Sequence, residues 1–361
     1  MLLKELKLRS FRNYRRLDWS VGSGVNALVG INGQGKSNLL EAIYMLVTMK
    51  SYRGSRHQDM VLKNQKGYFI GGIVQSEIEA RVKYYWGNDG RKLSLNEEPV
   101  ASLKDYLGVI KGVIFSSEDI QLVRGSGRFR RRFLDLICTQ IEVGYLENLQ
   151  AYARALKHRN SLLKRSTIDS ALLESFSYQL VKLGNNLIQT RRALVPRLNS
   201  LTRNSIAQIT SGGEESLQIT YKPSVKEDFE GELNRAQKRD IQYGTTSVGP
   251  HRDDLSLTIN NLQADTFASE GQQRSIVIAL KLSQVELLKQ MFGYPPILLI
   301  DDVFGELDKV RKAAFIPLLE SVNHGGSQVF LTSTDADSLK EKSNNWKFWE
   351  VKSGSVSDLN R

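Results

Sequence analysis

The first third of the chain alternates apolar and polar residues in the way that β-strands do. The alternation covers Leu2–Arg9 and Arg16–Val21, and the apolar run Val25–Val29 follows. Successive side chains of a strand point to opposite faces, so this pattern predicts strands with a buried face. Gly22-Ser23-Gly24, between the last two runs, predicts a hairpin-like turn.

A helix and further strands are predicted next. From Ser37 to about Met49 the apolar residues recur at helical spacing. Three strand-like runs follow between Tyr68 and Leu95, and two of them flank the turn signal Gly87-Asn88-Asp89-Gly90. Val109–Phe115 is a further strand candidate.

The pattern becomes helical from Phe129 to about Ile209. Apolar residues recur there with heptad spacing, at Leu173, Phe176, Leu180, Leu183, Leu187, Leu194, Leu198 and Leu201. An earlier apolar run supplies a facing helix and Lys164–Asp169 a turn, which predicts an antiparallel helical hairpin projecting from the main body. Pro196 predicts a kink or break near the end of the second helix. The alternative is an ordinary helical subdomain without an extended arm.

Strand and turn signals return in the last third. Ile297–Ile300 is an apolar run after Pro295-Pro296, typical of a buried parallel strand, and Gln328–Leu331 suggests another. We therefore predict an α/β fold. Residues 1–123 and 241–361 form the two halves of one lobe, and residues 124–240 form a helical lobe inserted between them.

Composition excludes several classes of protein. The chain has 361 residues, 40% of them hydrophobic, which is enough for a folded core. No stretch approaches the ~20 apolar residues of a membrane helix. The single cysteine, Cys138, excludes an internal disulfide and a cysteine-based zinc cluster. Together these features predict a cytoplasmic protein with no membrane partner.

The net charge of +11 is concentrated in the helical zone. Between Arg124 and Arg203 there are 15 Lys/Arg and 5 Asp/Glu, a net charge of +10. A local field of one sign attracts a polyanion. A solvated basic helix surface explains the same charges, so both interpretations stay open. The candidate DNA-binding residues are Arg130, Arg131 and Arg132, at the start of this zone.

A phosphate-binding loop carries the first candidate chemistry. Gly30–Ser37 fits the pattern G-x-x-x-x-G-K-[ST] and lies between an apolar strand and a helix, the context that the mechanism demands. The backbone wraps the phosphates, and the helix N-terminus attracts the anion. Lys36 would act on the β- and γ-phosphates of ATP, and Ser37 would offer its hydroxyl to Mg²⁺. The predicted nucleotide-binding residues are Gly30, Ile31, Asn32, Gly33, Gln34, Gly35, Lys36, Ser37 and Asn38.

Two acids supply the other half of the predicted site. Asp301 and Asp302 follow the apolar run Ile297–Ile300, so they end a buried strand at the edge where ligands bind in open α/β sheets. We expect Asp301 to hold Mg²⁺ and Asp302 to orient or deprotonate the attacking water. The alternative is a helix N-cap pair after a core strand. Lys36 and Asp301 are 265 residues apart, so a large insertion separates the two halves of the nucleotide site.

A third segment precedes the acid strand. It reads Ser269-Glu270-Gly271-Gln272-Gln273-Arg274, and in this order it resembles the signature motif of ABC-type ATPases, while Glu306-Leu307-Asp308 resembles their D-loop. The resemblance implies ATP-dependent dimerisation in which Ser269 completes the site of the partner in trans. Transporter ATPases carry a switch histidine where Thr334 is the nearest match here. A hydroxyl cannot carry the charge of an imidazolium, which suits slow hydrolysis.

Several segments together resemble the RecF family of bacterial recombination mediators. They are Phe11–Tyr14, Leu28–Tyr44, Lys50–Arg53, Arg130–Asp135, Gly249–Leu255, Ser269–Arg274 and Asp301–Asp308. The resemblance implies an ABC-type P-loop ATPase head with an inserted, SMC-like helical lobe. It also implies a weak DNA-dependent ATPase that dimerises with ATP on DNA in the nucleoid. Such a protein acts with RecR and RecO at gaps, where it promotes recombinase loading in repair and replication restart.

Two other functions remain open from the residues. The first is the ATPase subunit of a transporter or of another SMC-like system, against which the basic zone speaks. The second is a structural DNA-binding dimer that binds ATP without turning it over. The pair Asp301 and Asp302 argues against this second function.

Overall fold

The computed structural model describes residues 1–210, 215–303, 316–317, 319–320, 323, 326–335, 339 and 345–359. The chain divides into two compact units. Unit 1 comprises Met1–Asp119 and Gln284–Arg361, and unit 2 comprises Ile120–Ser283. Unit 2 is therefore inserted in the chain between the two segments of unit 1, as the sequence predicted in outline.

Strands dominate unit 1, and the long helices lie mainly in unit 2. The strands are β1 (Leu2–Phe11), β2 (Tyr14–Ser20), β3 (Val25–Val29), β4 (Gly67–Gln75), β5 (Glu79–Gly87), β6 (Gly90–Leu95), β7 (Glu98–Pro99), β8 (Gly112–Ser116), β9 (Leu217–Lys222), β10 (Asp254–Ile259), β11 (Leu262–Gln263), β12 (Ile297–Asp301), β13 (Val329–Ser333), β14 (Lys347–Lys352) and β15 (Ser355–Asp358). The helices are α1 (Lys36–Thr48), α2 (Leu103–Tyr106), α3 (Gln121–Arg124), α4 (Gly127–Ile141), α5 (Tyr145–Leu163), α6 (Ser170–Ile209), α7 (Phe229–Tyr243), α8 (Ala264–Phe267) and α9 (Glu270–Phe292).

One sheet of unit 1 is antiparallel, with the strand order β2-β1-β4-β5-β6-β7. The predicted turn at Gly87–Gly90 is confirmed, because β5 and β6 pair there as a hairpin. The predicted hairpin at Gly22–Gly24 is wrong. β2 pairs with β1, and β3 belongs to the other sheet. All five residues of β3 are buried, which suits a strand covered on both faces better than a hairpin arm.

The second sheet of unit 1 has the order β15-β14-β3-β13-β12-β8, and its strands from β14 to β8 are parallel. The predicted strands at Ile297–Ile300 and Gln328–Leu331 are confirmed as β12 and β13. A single strand, β13, separates β3 from β12. The carboxyl ends of parallel strands meet at one sheet edge, so the segments after β3 and β12 are neighbours.

The helix α1 packs between the two sheets. It contacts β1, β4 and β5 of the antiparallel sheet and β8, β12 and β13 of the parallel one. Its residues are buried almost all round, including Leu39, Leu40 and Ile43. A helix that is apolar on every side belongs in a protein core, which explains why this one shows only a weak amphipathic pattern.

In unit 2, α5 and α6 form the predicted antiparallel hairpin. Asn148 reaches the carbonyl of Leu183, while Arg159, further along α5, reaches the earlier Ser177 of α6. α6 has 40 residues, so it is roughly 60 Å long. Of the kink or break predicted at Pro196, the break is wrong, because α6 continues to Ile209. Pro196 is exposed, so the carbonyl that lacks its donor can be hydrated.

The hairpin is integrated in unit 2 along its length. α6 contacts α4, α5, α7 and β9, and the Ile219 N–H of β9 donates to Asn199 Oδ1 at 2.7 Å. This packing agrees with the alternative of a helical subdomain. The inserted lobe was predicted to end at residue 240, and this boundary differs from the structure. β9, before residue 240, pairs with β10, after it, and unit 2 continues to Ser283.

Candidate nucleotide-binding site

The predicted phosphate loop connects β3 to α1 in unit 1. Gly35 has φ = 113°, and a Cβ there would lie within 3 Å of both Asn13 and Tyr14. Gly30 has φ = 151°, and a Cβ would lie 2.5 Å from the carbonyl oxygen of Val351. These two positions therefore require glycine for both conformation and space. Ile31, Asn32 and Gly33 are exposed at the loop tip.

Lys36 is buried at the base of the loop. Its ammonium donates to the carbonyl oxygens of Gly30 at 2.5 Å and of Ile31 at 2.9 Å. Burial lowers the pKa of Lys36, and the nearby carboxylates of Asp302 and Asp301 oppose that shift. The predicted cation thus lies inside the loop and within the field of both predicted acids.

Asp301 lies beside the phosphate loop, as the sequence predicted. Ser37 Oγ donates to Asp301 Oδ1 at 2.8 Å, although 264 positions separate the two residues in the chain. Hydroxyl and carboxylate oxygens are the ligands that Mg²⁺ prefers. Ser37 and Asp301 therefore fit as the residues that would hold a magnesium ion.

Two further hydroxyl groups hold Asp301. Tyr52 Oη donates to Asp301 Oδ2 at 2.6 Å, and Thr332 Oγ1 donates to Asp301 Oδ1 at 3.0 Å. Burial and the negative charge of Asp301 raise the pKa of the Tyr52 hydroxyl, so it remains a donor. Neither residue is among those predicted from the sequence. Tyr52 lies in Lys50–Arg53, one of the segments that resemble the family, so this resemblance could have identified it. No local sequence pattern identifies Thr332.

Asp302 is exposed and has φ = 54°, in the left-handed region that non-glycine residues rarely adopt. Its N–H donates to Thr332 Oγ1 at 2.9 Å, so one hydroxyl contacts both acids. Such a conformation costs on the order of 1 kcal/mol and persists where neighbours impose it. Residues in strained conformations cluster at functional sites, which agrees with the predicted role of Asp302.

A buried ion pair joins α1 to the turn between β1 and β2. Arg12 forms two hydrogen bonds with the carboxylate of the fully buried Glu41, at 2.7 and 2.8 Å. Ser51 donates to the same carboxylate at 2.5 Å. Removing one partner of such a pair leaves an uncompensated buried charge, so we assign Arg12 and Glu41 a structural role.

The predicted signature segment lies in unit 2 at the start of α9. The Ser269 N–H donates to Gln272 Oε1 at 2.9 Å, and the Gln272 N–H donates to Ser269 Oγ at 3.2 Å. This is a capping box, which satisfies two donors at the helix N-terminus. Ser269 is exposed, as a contact with a second subunit requires. Thr334 is also exposed, in unit 1, and the predicted D-loop Glu306-Leu307-Asp308 lies outside the described residues.

The three predicted DNA-binding arginines have different surroundings. Arg130 makes a two-pronged ion pair with Asp254, at 2.7 and 2.8 Å, and Arg131 donates to the carbonyl of Asp253 at 2.6 Å. The hydrogen bond to Asp254 raises the pKa of Arg130. Arg132 is exposed, and so is Arg128 one turn earlier on α4. Two of the three predicted side chains therefore form hydrogen bonds within unit 2, and the assignment of all three to a DNA surface stays a prediction.

Two more arginines of the basic zone are buried. Arg159 pairs with Asp240 at 2.8 Å, and Arg191 pairs with Asp135 at 2.7 Å and with Asp253 at 2.8 Å. The other eleven Lys/Arg between residues 124 and 203 are exposed. The zone keeps a basic surface, but part of its charge is neutralised inside the fold.

Among the described residues, no three His, Cys, Asp or Glu side chains are arranged to hold a metal ion. Cys138 is buried, and desolvation raises the pKa of its thiol to about 12, in agreement with a core role. No helix in the described part of the chain is long and apolar enough to cross a membrane.

The parallel sheet, the loop after β3 and the two acids at the end of β12 define the class of protein. This is a P-loop ATPase of the ABC type with an inserted helical unit. The family model for the RecF/RecN/SMC N terminal domain matches residues 2–357. The chain belongs to this family, and within it to the RecF proteins, as its relatives show.

Two curated relatives cover the whole chain. The DNA replication and repair protein RecF of Streptococcus uberis is 38% identical over 368 residues, which cover 99% of each protein. The protein of the same name from Lactococcus lactis subsp. lactis is 36% identical over 359 residues, again 99% of each.

Solved structures agree in fold. The structure described as the recombination mediator protein RecF-ATPrS in the RecFOR pathway superposes with a TM-score of 0.90 at 31% identity, covering 99% of this chain and 98% of that one. An Smc head domain from Pyrococcus furiosus superposes with a TM-score of 0.57 at 16% identity, covering 99% of this chain and 95% of that one, which shows the shared fold alone. The predicted fold class and family are thus confirmed.

Proposed function

We propose that the chain is an ATP-switched, DNA-binding recombination mediator that acts in repair and replication restart. The juxtaposition of Ser37 with Asp301 at the base of the phosphate loop is the observation that carries this proposal. The relatives named for DNA replication and repair, and the RecF structures described with ATP, support it. They also make a transporter ATPase the weaker candidate.

Residues of unit 1 have separate roles in binding and hydrolysing the nucleotide. The loop Gly30–Asn38 wraps the phosphates, and Lys36 leaves its two carbonyl partners to neutralise them. Ser37 and Asp301 would hold Mg²⁺, which supplies positive charge at the phosphate oxygens when bound. Asp302 orients or deprotonates the attacking water.

Hydrolysis is slow and resets the switch. Thr334 is the nearest match to the switch histidine of transporter ATPases, and its hydroxyl cannot supply an imidazolium charge. Ser269 meets the nucleotide of a second subunit, so ATP joins two copies of the chain. The dimer then presents two basic surfaces to DNA and gains avidity.

Partners follow from the family and from the charge. DNA binds through exposed cations of unit 2, with Arg132 and Arg128 as the candidates on α4. RecR and RecO are the protein partners that we propose, at gapped DNA, where the mediator promotes recombinase loading. This activity belongs in the bacterial cytoplasm, at the nucleoid.

A size measurement tests the whole proposal. Light scattering is recorded on the chain alone, with ATP and Mg²⁺, with a gapped duplex, and with both. We expect a monomer alone and a dimer with ATP that is stabilised further by DNA. A chain that remains monomeric with ATP and DNA together contradicts the proposed switch, and dimerisation without any ATP turnover favours the structural dimer instead.

A further inference from the structure

We propose that the turn between β14 and β15 is a brace for the phosphate loop, acting with Asn13 from the turn between β1 and β2. Neither segment carries a phosphate-binding pattern, and both act through Gln34 as positioning elements. The inference deepens the proposed function and rests on it, because it concerns how tightly the loop binds ATP.

Four donors from the two turns converge on Gln34, and one of them is Ser353 Oγ, which donates to Gln34 Oε1 at 3.3 Å. The Ser353 N–H donates to Gln34 Oε1 at 2.8 Å, and 319 positions separate the two residues in the chain. The backbone oxygen of Gln34 accepts from Asn13 Nδ2 at 2.8 Å and from the Gly354 N–H at 3.4 Å. One loop residue is therefore held on its side chain and on its backbone.

The direction of the Gln34 carbonyl matters for anion binding. A phosphate loop binds through N–H groups, so its carbonyl oxygens must point elsewhere and find other donors. A trans peptide unit holds its N–H opposite to its C=O. Fixing the oxygen of Gln34 therefore fixes the direction of the Gly35 N–H as well. Tyr14 Oη continues the brace by donating to the next carbonyl, that of Gly35, at 3.0 Å.

The hairpin of β14 and β15 approaches both the turn between β1 and β2 and the phosphate loop, backbone to backbone. Gly354 has φ = 78°, and a Cβ there would lie 2.6 Å from the carbonyl oxygen of Asn13. A Cβ on Gly30 would likewise lie 2.5 Å from the oxygen of Val351 at the end of β14. No side chain fits between these segments, so a small displacement of the turn is transmitted to the loop.

The brace is anchored in the parallel sheet. β14 pairs with β3, the strand that leads into the loop, over Lys347–Glu350. Trp349 Nε1 adds a hydrogen bond of 2.9 Å to Asn26 Oδ1 of β3. Both ends of the contact are thus fixed to the same rigid strand, which preorganises the loop before nucleotide arrives.

Gly354→Ala tests the brace, with Gly90→Ala as the matched control. Both glycines lie in hairpin turns of unit 1 with positive φ, 78° and 91°, but a Cβ on Gly90 meets no atom within 4 Å. Both variants therefore carry similar backbone strain, and Gly354→Ala alone pushes the turn away from Asn13. We expect the Kd for ATP to rise about tenfold in Gly354→Ala and to stay within twofold in Gly90→Ala. The thermal midpoint without nucleotide should fall in both variants, and further in Gly354→Ala, because its Cβ also displaces backbone.

Asn13→Asp provides a second, independent variant. It removes the donor to Gln34 but keeps the oxygen that accepts from Asn38 Nδ2 at 2.8 Å. We expect a higher KM for ATP with kcat within about twofold of the wild type, because Asp301 and Asp302 are untouched. Since both changes act through Gln34, the double variant should lose less affinity than the product of the two single losses.

The outcomes separate this inference from the proposed function. Wild-type protein that fails to bind ATP overturns the proposed function itself. Wild-type binding together with unchanged affinity in folded Gly354→Ala overturns the brace. If Gly354→Ala does not fold, unchanged affinity in Asn13→Asp overturns the brace. A raised Kd that persists at high salt, where the added charge of Asn13→Asp is screened, supports it.

Discussion

The two units use their charged residues in opposite ways. In unit 1 the charges predicted to be functional come together at one site, with Lys36 inside the loop and Ser37 hydrogen-bonded to Asp301. In unit 2 several charges of the basic zone instead form ion pairs inside the fold. Arg191, for example, pairs with both Asp135 and Asp253.

This contrast shows that a sequence motif and a single charged residue differ in how well they predict a functional site. A phosphate loop is a constraint on consecutive backbone conformations, so consecutive residues reveal it. The role of a guanidinium depends on which carboxylate the fold brings near it, and Arg130 finds Asp254, 124 positions away. Local charge density therefore overstates the basic surface of unit 2.

The largest effect is expected from Lys36→Ala. The variant removes the cation of the phosphate loop, so ATP binding should be lost or nearly lost. Isothermal titration of ATP with Mg²⁺ measures the change, and Lys66→Ala, an exposed lysine of the same unit, is the control. Unchanged affinity in Lys36→Ala would refute the assignment of the loop and remove the contrast between the units.

Asp302→Asn should slow hydrolysis by ~10²–10⁴ while ATP still binds, because a positioned base is lost and the shape is kept. The ATP-bound dimer should therefore persist longer. Single-turnover hydrolysis and light scattering measure the two effects. Turnover at the wild-type rate would place the base on another residue.

Ser269→Arg tests the contribution of unit 2 to the partner's nucleotide. The bulky cation should block dimerisation and hydrolysis but spare ATP binding by the monomer. Ser269→Ala is the control, because it also loses the cap to Gln272, at a cost of about 1 kcal/mol, without adding bulk. A Ser269→Arg protein that dimerises with ATP contradicts the arrangement in trans.

The exposed arginines of α4 test whether this helix of unit 2 binds DNA. Arg128→Glu with Arg132→Glu should weaken binding to all DNA sequences alike. It should also flatten the salt dependence, by about 0.9 in log K per log unit of salt for each phosphate that the protein no longer neutralises. ATP affinity should not change. A wild-type slope in this double variant would move the DNA surface away from α4.

Arg130→Ala should act on stability and leave the salt slope alone. It leaves the carboxylate of Asp254 without its two-pronged partner. Asp254 is partly exposed, so the expected loss of unfolding free energy is about 1–2 kcal/mol in urea titrations. A flattened salt slope without loss of stability would restore Arg130 to the DNA surface.

The smallest effect is expected from Tyr52→Phe. It removes one hydrogen bond to Asp301, worth about 1 kcal/mol, so the Mg²⁺ concentration for half-maximal ATP binding should rise about fivefold. Tyr14→Phe, which removes the donor to Gly35 instead, should change ATP affinity and leave the Mg²⁺ dependence alone. Equal Mg²⁺ dependence in wild type and Tyr52→Phe would show that Tyr52 does not position the ligand.

Elements and chemistry that depend on a local pattern could be predicted from the sequence. Alternation marked β1, the heptad spacing marked α6, and the glycines with Lys36 marked the phosphate loop. In each case one repeat or one backbone conformation extends over neighbouring residues. Such a signal needs no information about the rest of the chain.

The tertiary structure decided which segments meet. β2 pairs with β1 rather than β3, Thr332 reaches both acids, and Ser353 reaches Gln34. These contacts join residues that are distant in the chain, and a hydroxyl or a backbone N–H has no sequence pattern that names its partner. The ion pair of Arg130 with Asp254 also depends on the fold, because a charge that is removed from water is stable only beside an opposite charge.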